Sequence, residues 1–335
     1  MIRETVLVQN APTIPGLVFR PFAGASEYPA MVDIFNACFQ ADQVDEVYSV
    51  EGLTNDYAHL SNCNLSTDLL MAEVDGKRVG FGRVWWWVND VGERLYGVTG
   101  AVQPKWRGKG IGRALLGWQE QRVREIAATH PSAEPRYLQV FLTETAQARH
   151  RMFLHAGYEP VRYGYMMARP TLDQLPDVAA PDGLEVRPAL PEHMRLIFNA
   201  WDEAFRDHWG HGPATEEDFQ GWVNWPDAQP HLWQVAWDTG TNEVAGAVLN
   251  TIFPRNNAAF NLKRGWTEPI FVRRPWRRRG LARALIIKSL ALLREQGMTE
   301  AALGVDAQNE NDALHLYESC GYEVVKRSFT LRKAL

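Results

Sequence analysis

The sequence predicts two tandem domains of the same α/β class, each with a mixed sheet and helices on both faces. Its 335 residues exceed the usual size of one compact domain, so two domains of about 150 residues each are expected. Three segments of the first half return in the second half, and both halves present strand-like and helix-like patterns in the same order. A tandem duplication of one domain accounts for these observations.

The internal repeat keeps a nearly constant offset along the chain. The repeated pairs are "GLVFRPF" at Gly16 and "GLEVRPA" at Gly183, "VQPKWRGKGIGRALL" at Val102 and "VRRPWRRRGLARALI" at Val272, and "FLHAGYEPV" at Phe153 and "YESCGYEVV" at Tyr317. Their offsets are 167, 170 and 164 residues. Between the halves, prolines and acidic residues in "ARPTLDQLPDVAAPDG" replace any hydrophobic period. We therefore expect an N-terminal domain at 1–168, a linker at 169–183 and a C-terminal domain at 184–335.

The hydrophobic pattern of the second half predicts its elements in order. A short strand "LEVRPA" is followed by two helices, at 191–208 and 215–225. The strand-like runs "HLWQVAWD" and "EVAGAVLNTIF" are joined by the turn "TGTN". Then come a short strand "EPIFV", a largely buried helix at 280–296, a strand "AALGVDA", a helix at 310–320 and a closing strand "YEVVKRSFTLRK". The first half copies this order, with "DLLMAEV" and "VGFGRVWWW" on either side of the turn "DGK".

Composition and charge exclude several classes of protein. Apolar residues make up 46% and charged residues 22%, and the net charge of −5 argues against a surface built to bind nucleic acid. The three cysteines, Cys38, Cys63 and Cys320, show no C-x-x-C spacing, which argues against a zinc site or a disulfide framework. No apolar run is long enough to span a membrane, and the first residues lack the apolar core of a signal peptide. We expect a cytoplasmic protein without a metal, a membrane or a nucleic-acid partner.

Both halves place the pattern R-x-x-G-x-G/A between a strand and the start of a helix. Its members are Arg107, Gly110 and Gly112 in the first half, and Arg277, Gly280 and Ala282 in the second half. Small residues let the backbone approach a ligand, and the first turn of a helix leaves amide N–H groups without partners. Those amides, aided by the helix dipole, bind phosphate. The alternatives are a solvated charge run and a nucleic-acid patch, but the repetition in the same context favours an anion site.

The repeated pattern and the later "NENDALHLYESCGY" resemble the acetyl-coenzyme A site of the GNAT superfamily of N-acetyltransferases, over nearly the whole chain. The resemblance implies two tandem GNAT domains with acetyl-CoA as cofactor. In the family, amides of the glycine-basic segment hold the pyrophosphate of coenzyme A, and the preceding strand pairs with its pantetheine arm. The cofactor-binding residues implied in the second half are Ile270, Phe271, Val272, Arg277, Arg278, Arg279, Gly280, Leu281, Ala282 and Asn311. Those implied in the first half are Val102, Arg107, Gly108, Lys109, Gly110, Ile111 and Gly112.

Acetyl transfer to an amine requires a neutral amine, donors for the developing oxyanion and a proton for the leaving thiolate. Tyr317 stands where the family pattern has its general-acid tyrosine, and a phenol can deliver a proton to a thiolate. The alternative is an ordinary packed tyrosine. The matching residue of the first half is Phe153, which has no proton to give. The resemblance therefore implies chemistry in the second half and an acetyl-CoA-binding but catalytically impaired first half.

The general base is expected on the short strand before the glycine-basic segment. Glu268 directly precedes "PIFV", and family members use a carboxylate from this strand, directly or through water. Asp306 and Glu310 are alternative bases, and a solvated Glu268 with no role is a further alternative. The first half has Val98 in place of Glu268. The oxyanion donors would be main-chain N–H groups near residues 270–272.

The acceptor pocket of such folds is built by the first two helices and the loop between them, here "FNAWDEAFRDHWGHGPATEEDFQGWVNWP". Its rings, histidines and acids suit a polar, partly cationic or sugar-like amine, and the candidate substrate-binding residues are His208 and Trp209. Core packing of the same rings is the alternative, and two histidines alone make no metal site. The two-domain layout with "EAFRDHWG" also resembles the mycothiol synthase family, which acetylates the amine of a cysteinyl-glucosaminyl-inositol.

The leading hypothesis is an acetyl-CoA-dependent N-acetyltransferase that acts on the primary amine of a small molecule in its second half, with Tyr317 as general acid. One alternative is a mycothiol-synthase-like acetylation of a cysteinyl-sugar amine. Another is a non-catalytic sensor that binds acetyl-CoA. The sequence leaves the oligomeric state open, and it does not decide whether both halves bind acetyl-CoA.

Overall fold

The computed structural model describes residues 5–131, 134–309 and 312–335. The chain folds into two compact units, one formed by Met1–Val161 with Phe329–Leu335 and the other by Arg162–Ser328. The first unit thus includes the end of the chain. These units are defined by packing, whereas the expected domain boundaries are those of the repeated sequence, and those boundaries remain a prediction.

The first half of the chain contributes six strands and five helices to the residues that the structure describes. They are β1 (Leu17–Pro21), α1 (Tyr28–Ala41), α2 (Val50–Ala58), α3 (Leu65–Asp68), β2 (Leu69–Val74), β3 (Lys77–Val88), β4 (Arg94–Val102), α4 (Ile111–Ala127), β5 (Arg136–Thr143), α5 (Gln147–His155) and β6 (Glu159–Arg169).

The second half repeats this order with two differences: no α-helix of the described residues corresponds to α3, and one helix is added after its third strand. Its elements are β7 (Leu184–Arg187), α6 (Met194–Phe205), α7 (Glu216–Val223), β8 (Gln234–Asp238), β9 (Val244–Ile252), α8 (Pro254–Phe260), β10 (Arg264–Val272), α9 (Leu281–Glu295), β11 (Glu300–Asp306), α10 (Ala313–Ser319) and β12 (Glu323–Ala334).

Each unit contains a mixed sheet, as the sequence predicts. In the first unit the strand order is β1-β2-β3-β4-β5, followed by the last part of β12. In the second unit the order is β7-β8-β9-β10-β11, followed by the part of β6 that begins at Arg162. Pairing is antiparallel along β1 to β4 and along β7 to β10, and it is parallel between β4 and β5 and between β10 and β11.

The helix after the central strand anchors the core of the second unit. The predicted helix 280–296 is observed at Leu281–Glu295, and its apolar residues recur at helical spacing on the side that faces the sheet. Leu285, Ile286 and Leu290 are fully buried in one cluster with strand residues such as Val248. This packing fixes the start of α9 beside the end of β10, where the glycine-basic segment lies.

The two parallel strands of each unit pair only over their first residues. In the second unit β10 and β11 pair at Arg264, Gly265 and Trp266 of β10 and not beyond. In the first unit β4 and β5 pair only over residues 94–97 of β4. Both central strands continue to pair with the antiparallel strand on their other side. Each unit therefore has a central strand whose last residues have one edge that no described strand occupies.

Two features of the fold have no signal in the sequence pattern. Helix α8 contains the seven-residue run "PRNNAAF", which is too short to show a helical period, and it starts at a proline in the first turn, where a missing N–H costs nothing. The exchange of chain ends between units, in which β6 begins in the first unit and β12 ends there, depends on contacts between residues far apart in sequence. Neither local propensity nor the repeat reports such contacts.

The end of the chain is expected to stabilise the first unit. Leu331 is fully buried in a cluster with Leu138 and Phe153 of that unit. We expect Leu331→Ala to cost about 2–4 kcal/mol through lost burial and a cavity. Hydrogen exchange followed by mass spectrometry should show faster exchange in β5 and α4 and unchanged exchange in β9 and β10. The control is Leu196→Ala, at a half-exposed position of α6. Faster exchange confined to the second unit would contradict the assignment.

Candidate active site

The segment between the central strand and the following helix forms a tight loop in each unit. We call residues 107–113 the first cradle and residues 277–283 the second cradle. Their left-handed residues are Gly108 (φ 74°) and Gly110 (φ 92°) in the first cradle, and Arg278 (φ 59°) and Gly280 (φ 82°) in the second cradle. Left-handed residues in such loops turn successive N–H groups into one concavity that suits an anion.

Six successive amides in each cradle donate to no acceptor within the described ranges of the chain. They belong to residues 108–113 and 278–283. The next amide closes the first helical turn, since Ala114 N donates to Gly110 O at 3.0 Å and Ala284 N donates to Gly280 O at 3.1 Å. The positive ends of the α4 and α9 dipoles lie at the same place. Each cradle therefore has the donors and the field for a phosphate group.

The arginine that opens each cradle holds the loop to an aspartate just after the first helix of its unit, α1 or α6. In the second unit, Arg277 donates from Nη1 to Asp207 Oδ2 at 2.5 Å and from Nε to Val272 O at 2.9 Å. In the first unit, Arg107 donates to both carboxylate oxygens of Asp42, at 2.6 and 2.8 Å. Both arginines were predicted to bind cofactor, but their side chains are engaged by protein acceptors. The repeat could have revealed the two aspartates, because they stand 165 residues apart in sequence.

The other basic side chains of the cradles have different surroundings. Arg279 donates to Asp182 O at 3.0 Å, and Arg283 donates to Ser319 Oγ at 2.9 Å. Lys109 lies over the Trp106 ring, with Nζ 4.5 Å from the ring centroid. Arg278 is exposed and makes no hydrogen bond or ion pair with any residue that the structure describes. Only some of the basic side chains of the cradles are therefore available to contact an anion that is bound by the cradle amides.

The last residues of β10 present the edge where a pantetheine arm was predicted to pair. Ile270, Phe271 and Val272 pair with β9 on one side only, opposite Val248, Ala247 and Gly246. The Phe271 side chain is buried in the core and fixes one face of this strand. The edge of residues 270–272 that faces away from β9 pairs with no described strand. Val102 ends the corresponding strand of the first unit and pairs opposite Gly80.

Glu268 lies at the place where the two parallel strands of the second unit separate. The register between β10 and β9 shifts between Thr267 and Ile270, so that Glu268 stands in an irregular part of the strand. Its Oε2 accepts a hydrogen bond from Gly304 N of β11 at 2.6 Å. The carboxylate thus reaches from one strand to the other across the opening between them. Asn311, predicted to bind cofactor, and Glu310 lie outside the described residues.

Tyr317 is a buried residue of α10 with its ring 6.3 Å from that of Tyr322. Burial raises the pKa of Tyr317 above its usual value, and the nearby charge of Glu268 raises it further. The phenol therefore keeps its proton at neutral pH. The Tyr322 hydroxyl is instead occupied by Thr267, at 2.7 Å. The two groups predicted for acid and base work, Tyr317 and Glu268, are electrostatic neighbours in the second unit.

The predicted acceptor residues lie after the end of α6. His208 stacks on Phe205, with ring centroids 4.3 Å apart, and burial lowers the pKa of its imidazole. Trp209 lies under the guanidinium of Arg162, which is 5.5 Å from the ring centroid. Arg162 comes from β6 and was not recognised in the sequence, because it precedes the predicted linker.

Asp306, an alternative base in the sequence, is engaged by an arginine. Arg162 donates from Nε to both oxygens of Asp306 at 3.0 Å and from Nη2 to Oδ2 at 2.7 Å. The guanidinium of Arg162 thus occupies both carboxylate oxygens of Asp306. The geometry therefore favours Glu268 over Asp306 as a base.

The first unit differs at both positions. Phe153 is buried against Tyr158, with ring centroids 5.0 Å apart, and Val98 is buried in the same cluster. Neither side chain can transfer a proton. The unit nevertheless has a cavity of about 630 Å³, which includes Gly108, Gly110 and Gly112 of the first cradle among its lining residues.

Known protein families match each half of the chain separately. Residues 194–322 match the Acetyltransferase (GNAT) family, and residues 66–160 match the Acetyltransferase (GNAT) domain. The chain belongs to the GNAT family of N-acetyltransferases. It is a tandem GNAT enzyme, because one match lies in each unit and the two together cover about two thirds of the chain.

Individual relatives agree with this assignment. The tandem GNAT chain is 28% identical to a mycothiol acetyltransferase of Thermobifida fusca, over 67% of its own length and 70% of the relative. It is 29% identical to a mycothiol acetyltransferase of Salinispora tropica, over 68% of its own length and 69% of the relative.

Solved structures also share the tandem GNAT fold. A GCN5-related N-acetyltransferase from Sphaerobacter thermophilus is 27% identical, with a TM-score of 0.69 over 96% of this chain and 97% of that chain. A tandem GNAT protein from the clavulanic acid biosynthesis pathway is 15% identical, with a TM-score of 0.64 over 95% and 98%. The fold class predicted from the sequence is confirmed.

No described helix is both long and apolar enough to cross a membrane. Within the described ranges, no group of three or more His, Cys, Asp or Glu side chains is placed to hold a metal ion.

The arginine contacts of the second cradle are expected to be pH-dependent. Hydrogen bonds from Arg274 and then Arg277 lower the pKa of Asp207, so that its stabilising effect is present above the usual Asp pKa of about 3.9 and is lost as the pH falls through the lowered value. We expect Asp207→Asn to cost about 1 kcal/mol at pH 7, because the network is partly exposed. The difference in thermal unfolding from the wild type should persist at pH 5 and shrink between pH 4 and pH 2.

The matched control for this experiment is Asp227→Asn. Asp227 lies in the same unit and makes no ion pair or hydrogen bond with any part of the chain that the structure describes. An equal loss of stability in both variants, or a difference that does not change with pH, would rule out the network as its source.

Proposed function

We propose that this GNAT enzyme transfers an acetyl group from acetyl-CoA to the primary amine of a small molecule, and that the second unit performs the reaction. The observation that carries the proposal is the placement of Glu268 and Tyr317 beside the separated strands β10 and β11, next to a cradle of six amides that donate to no described residue. The first unit has a cradle and a cavity, but it has Val98 and Phe153 at the two corresponding positions.

The residues present fit acetyl-CoA at both ends. The amides of residues 278–283 would hold the diphosphate, and the free edge of Ile270 to Val272 would pair with the amides of the pantetheine arm. When bound, acetyl-CoA supplies the thioester from which the acyl group is transferred. The same strand edge has main-chain N–H groups for the negative charge that develops on the carbonyl oxygen.

Glu268 and Tyr317 divide the proton transfers. Glu268 would accept a proton from the acceptor amine, directly or through water, and its bond to Gly304 N fixes the carboxylate at the opening between the strands. Tyr317 would give its proton to the leaving sulfur, and its raised pKa keeps it protonated until then. Burial of Tyr317 makes the charge of Glu268 felt more strongly at its phenol than it would be in water.

The acceptor is proposed to bind beside His208, Trp209 and Arg162. The mycothiol acetyltransferases among the relatives favour a cysteinyl-sugar amine as one candidate acceptor. The stacked rings and the Arg162–Asp306 pair have the mixture of apolar faces and hydrogen-bonding groups that a sugar amine requires. A non-catalytic acetyl-CoA sensor is the competing function, and turnover distinguishes the two.

The function is tested by thiol release from acetyl-CoA in the presence of a panel of amines that includes amino sugars and cysteinyl-sugar amines. We expect turnover with at least one amine, and we expect Tyr317→Phe to lower kcat at least tenfold while KM for acetyl-CoA changes less than threefold. The control is Tyr322→Phe, a neighbouring tyrosine whose hydroxyl is occupied by Thr267. Tight acetyl-CoA binding without turnover of any amine would favour the sensor instead.

The assignment of the base is tested separately. We expect Glu268→Gln to lower kcat/KM at neutral pH by about 100-fold, the lower end of general-base effects, with a smaller loss at high pH, where more of the amine is already neutral. Asp306→Asn is the comparison, since its carboxylate is paired with Arg162. If Asp306→Asn removes the pH dependence and Glu268→Gln does not, the base has been assigned to the wrong residue.

A further inference from the structure

Two side chains continue the link between β10 and β11 beyond the last pair of these strands. The main-chain pairing ends at Trp266, opposite Ala302. The next residue of β10, Thr267, donates from Oγ1 to Ala302 O at 3.3 Å. The residue after it, Glu268, accepts from Gly304 N at 2.6 Å. Side-chain contacts therefore replace the main-chain contacts at the place where the strands separate.

The two partners on β11 lie on the same edge of that strand. The backbone groups of successive residues point to opposite edges, so residues two apart present their groups to the same neighbour. The carbonyl of Ala302 and the N–H of Gly304 accordingly both reach β10 side chains. Thr267 and Glu268 are adjacent in sequence, so the position of the carboxylate depends on how closely Thr267 holds the two strands together.

Thr267 makes its contacts in a part of the core that is closed to solvent. The residue is fully buried, and the hydroxyl of Tyr322, which is also buried, lies 2.7 Å from its Oγ1. Burial raises the pKa of Tyr322, so that the phenol keeps its proton and can donate it. Thr267 has a single hydroxyl hydrogen, which it gives to Ala302 O while it accepts the hydrogen of the phenol. The bond to Ala302 O does not require the phenol, so Tyr322→Phe keeps the link between the strands.

The first unit has no hydroxyl side chain at the corresponding place. Its parallel pairing ends at Gly97, and the next residue is Val98. The tyrosine is repeated as Tyr158, at the offset of 164 residues from Tyr322. The hydroxyl at the end of the pairing is therefore present in the unit that has the carboxylate of Glu268, and both groups are missing together from the other unit.

We infer that Thr267 is a positioning residue of the second unit. Its hydroxyl holds β10 against β11 at the start of the opening and thereby fixes the carboxylate of Glu268 against Gly304 N. The inference rests on the proposed function in one respect, namely that Glu268 acts as the base. Because Thr267 is fully buried, it acts through Glu268 and not by contact with a substrate.

The kinetic test is a double-mutant cycle in the full chain, with thiol release in the presence of an amine that the wild type acetylates. Thr267→Val keeps the branched shape and removes the hydroxyl. We expect it to lower kcat at least tenfold, because a displaced base no longer meets the amine at the right distance. KM for acetyl-CoA should change less than threefold, since the amides of the second cradle belong to the start of α9.

The second arm of the cycle distinguishes positioning from packing. In the Glu268→Gln background, Thr267→Val should lower kcat less than threefold, because no carboxylate remains to be positioned. Thr267→Ser keeps the hydroxyl and should retain kcat within threefold of the wild type.

Hydrogen exchange of the Gly304 amide, measured by NMR, tests the inference without turnover. Glu268→Ala removes the acceptor of this amide and provides its exchange rate without the hydrogen bond. We expect Thr267→Val to accelerate the exchange of Gly304 at least tenfold, toward the rate in Glu268→Ala, and Thr267→Ser to leave it near the wild-type rate.

The matched control is Thr251→Val. Thr251 is a buried threonine of β9 opposite Trp266, and its hydroxyl makes no hydrogen bond with any residue that the structure describes. We expect both kcat and the exchange of Gly304 to change less than twofold. Melting temperatures report whether each variant keeps its fold. If Thr267→Val does not fold, Thr267→Cys, whose thiol is a weak donor, takes its place in the cycle, with a smaller expected loss of kcat.

The other outcomes overturn the inference in distinguishable ways. If Thr267→Val lowers kcat equally in both backgrounds, or if Thr267→Ser loses as much, the role of the residue is packing. If kcat and the exchange of Gly304 both stay at wild-type values in Thr267→Val, the hydroxyl does not position Glu268. If the exchange accelerates while kcat does not fall, the anchored carboxylate is not the base. If the wild type acetylates no amine, the proposed function fails, and the exchange of Gly304 by itself still decides whether Thr267 holds Glu268.

Discussion

The separation of two parallel strands is the constraint on which the rest of the site depends. Two neighbouring parallel strands normally form backbone hydrogen bonds along their whole shared edge. Strands β10 and β11 instead pair over only three residues of β10. Beyond Trp266 no described strand pairs with one edge of the central strand, and the amides at the start of the following helix donate to no described residue. Both sets of donors are main-chain groups. They are fixed by the packing of α9 and β9 and not by the identity of the side chains at the opening.

Because the anion donors of the cradle are main-chain N–H groups, the basic side chains of the motif need not all contact the ligand. Arg107 and Arg277 are repeated at the same place in both halves, and the sequence alone suggests that they contact phosphate. The structure shows each of them bound to an aspartate just after the first helix of its unit, Asp42 or Asp207. Their repetition is therefore accounted for by the need to hold the cradle against that helix. Arg278 takes the left-handed position that Gly108 occupies in the first cradle, so only the conformation is shared there.

The sequence predicted what depends on local pattern and on the repeat. The duplication, the order of the elements and the position of both cradles follow from residues close together in the chain. The partners of those residues could not be predicted in the same way. Gly304 as the donor to Glu268, Arg162 as the partner of Asp306, and the exchange of chain ends between units all join distant segments. Asp207 is an intermediate case, because comparison of the two halves would have aligned it with Asp42.

The two units show how one backbone supports different functions through a few side chains. Replacement of Val98 by Glu268 and of Phe153 by Tyr317 adds two proton-transfer groups to an otherwise repeated arrangement. The first unit keeps the main-chain donors of its cradle but has neither of these two proton-transfer side chains. Because the donors belong to the backbone, a change of side chain at residue 98 or 153 leaves them in place, so that an anion site and an acid–base pair are separable features of this fold.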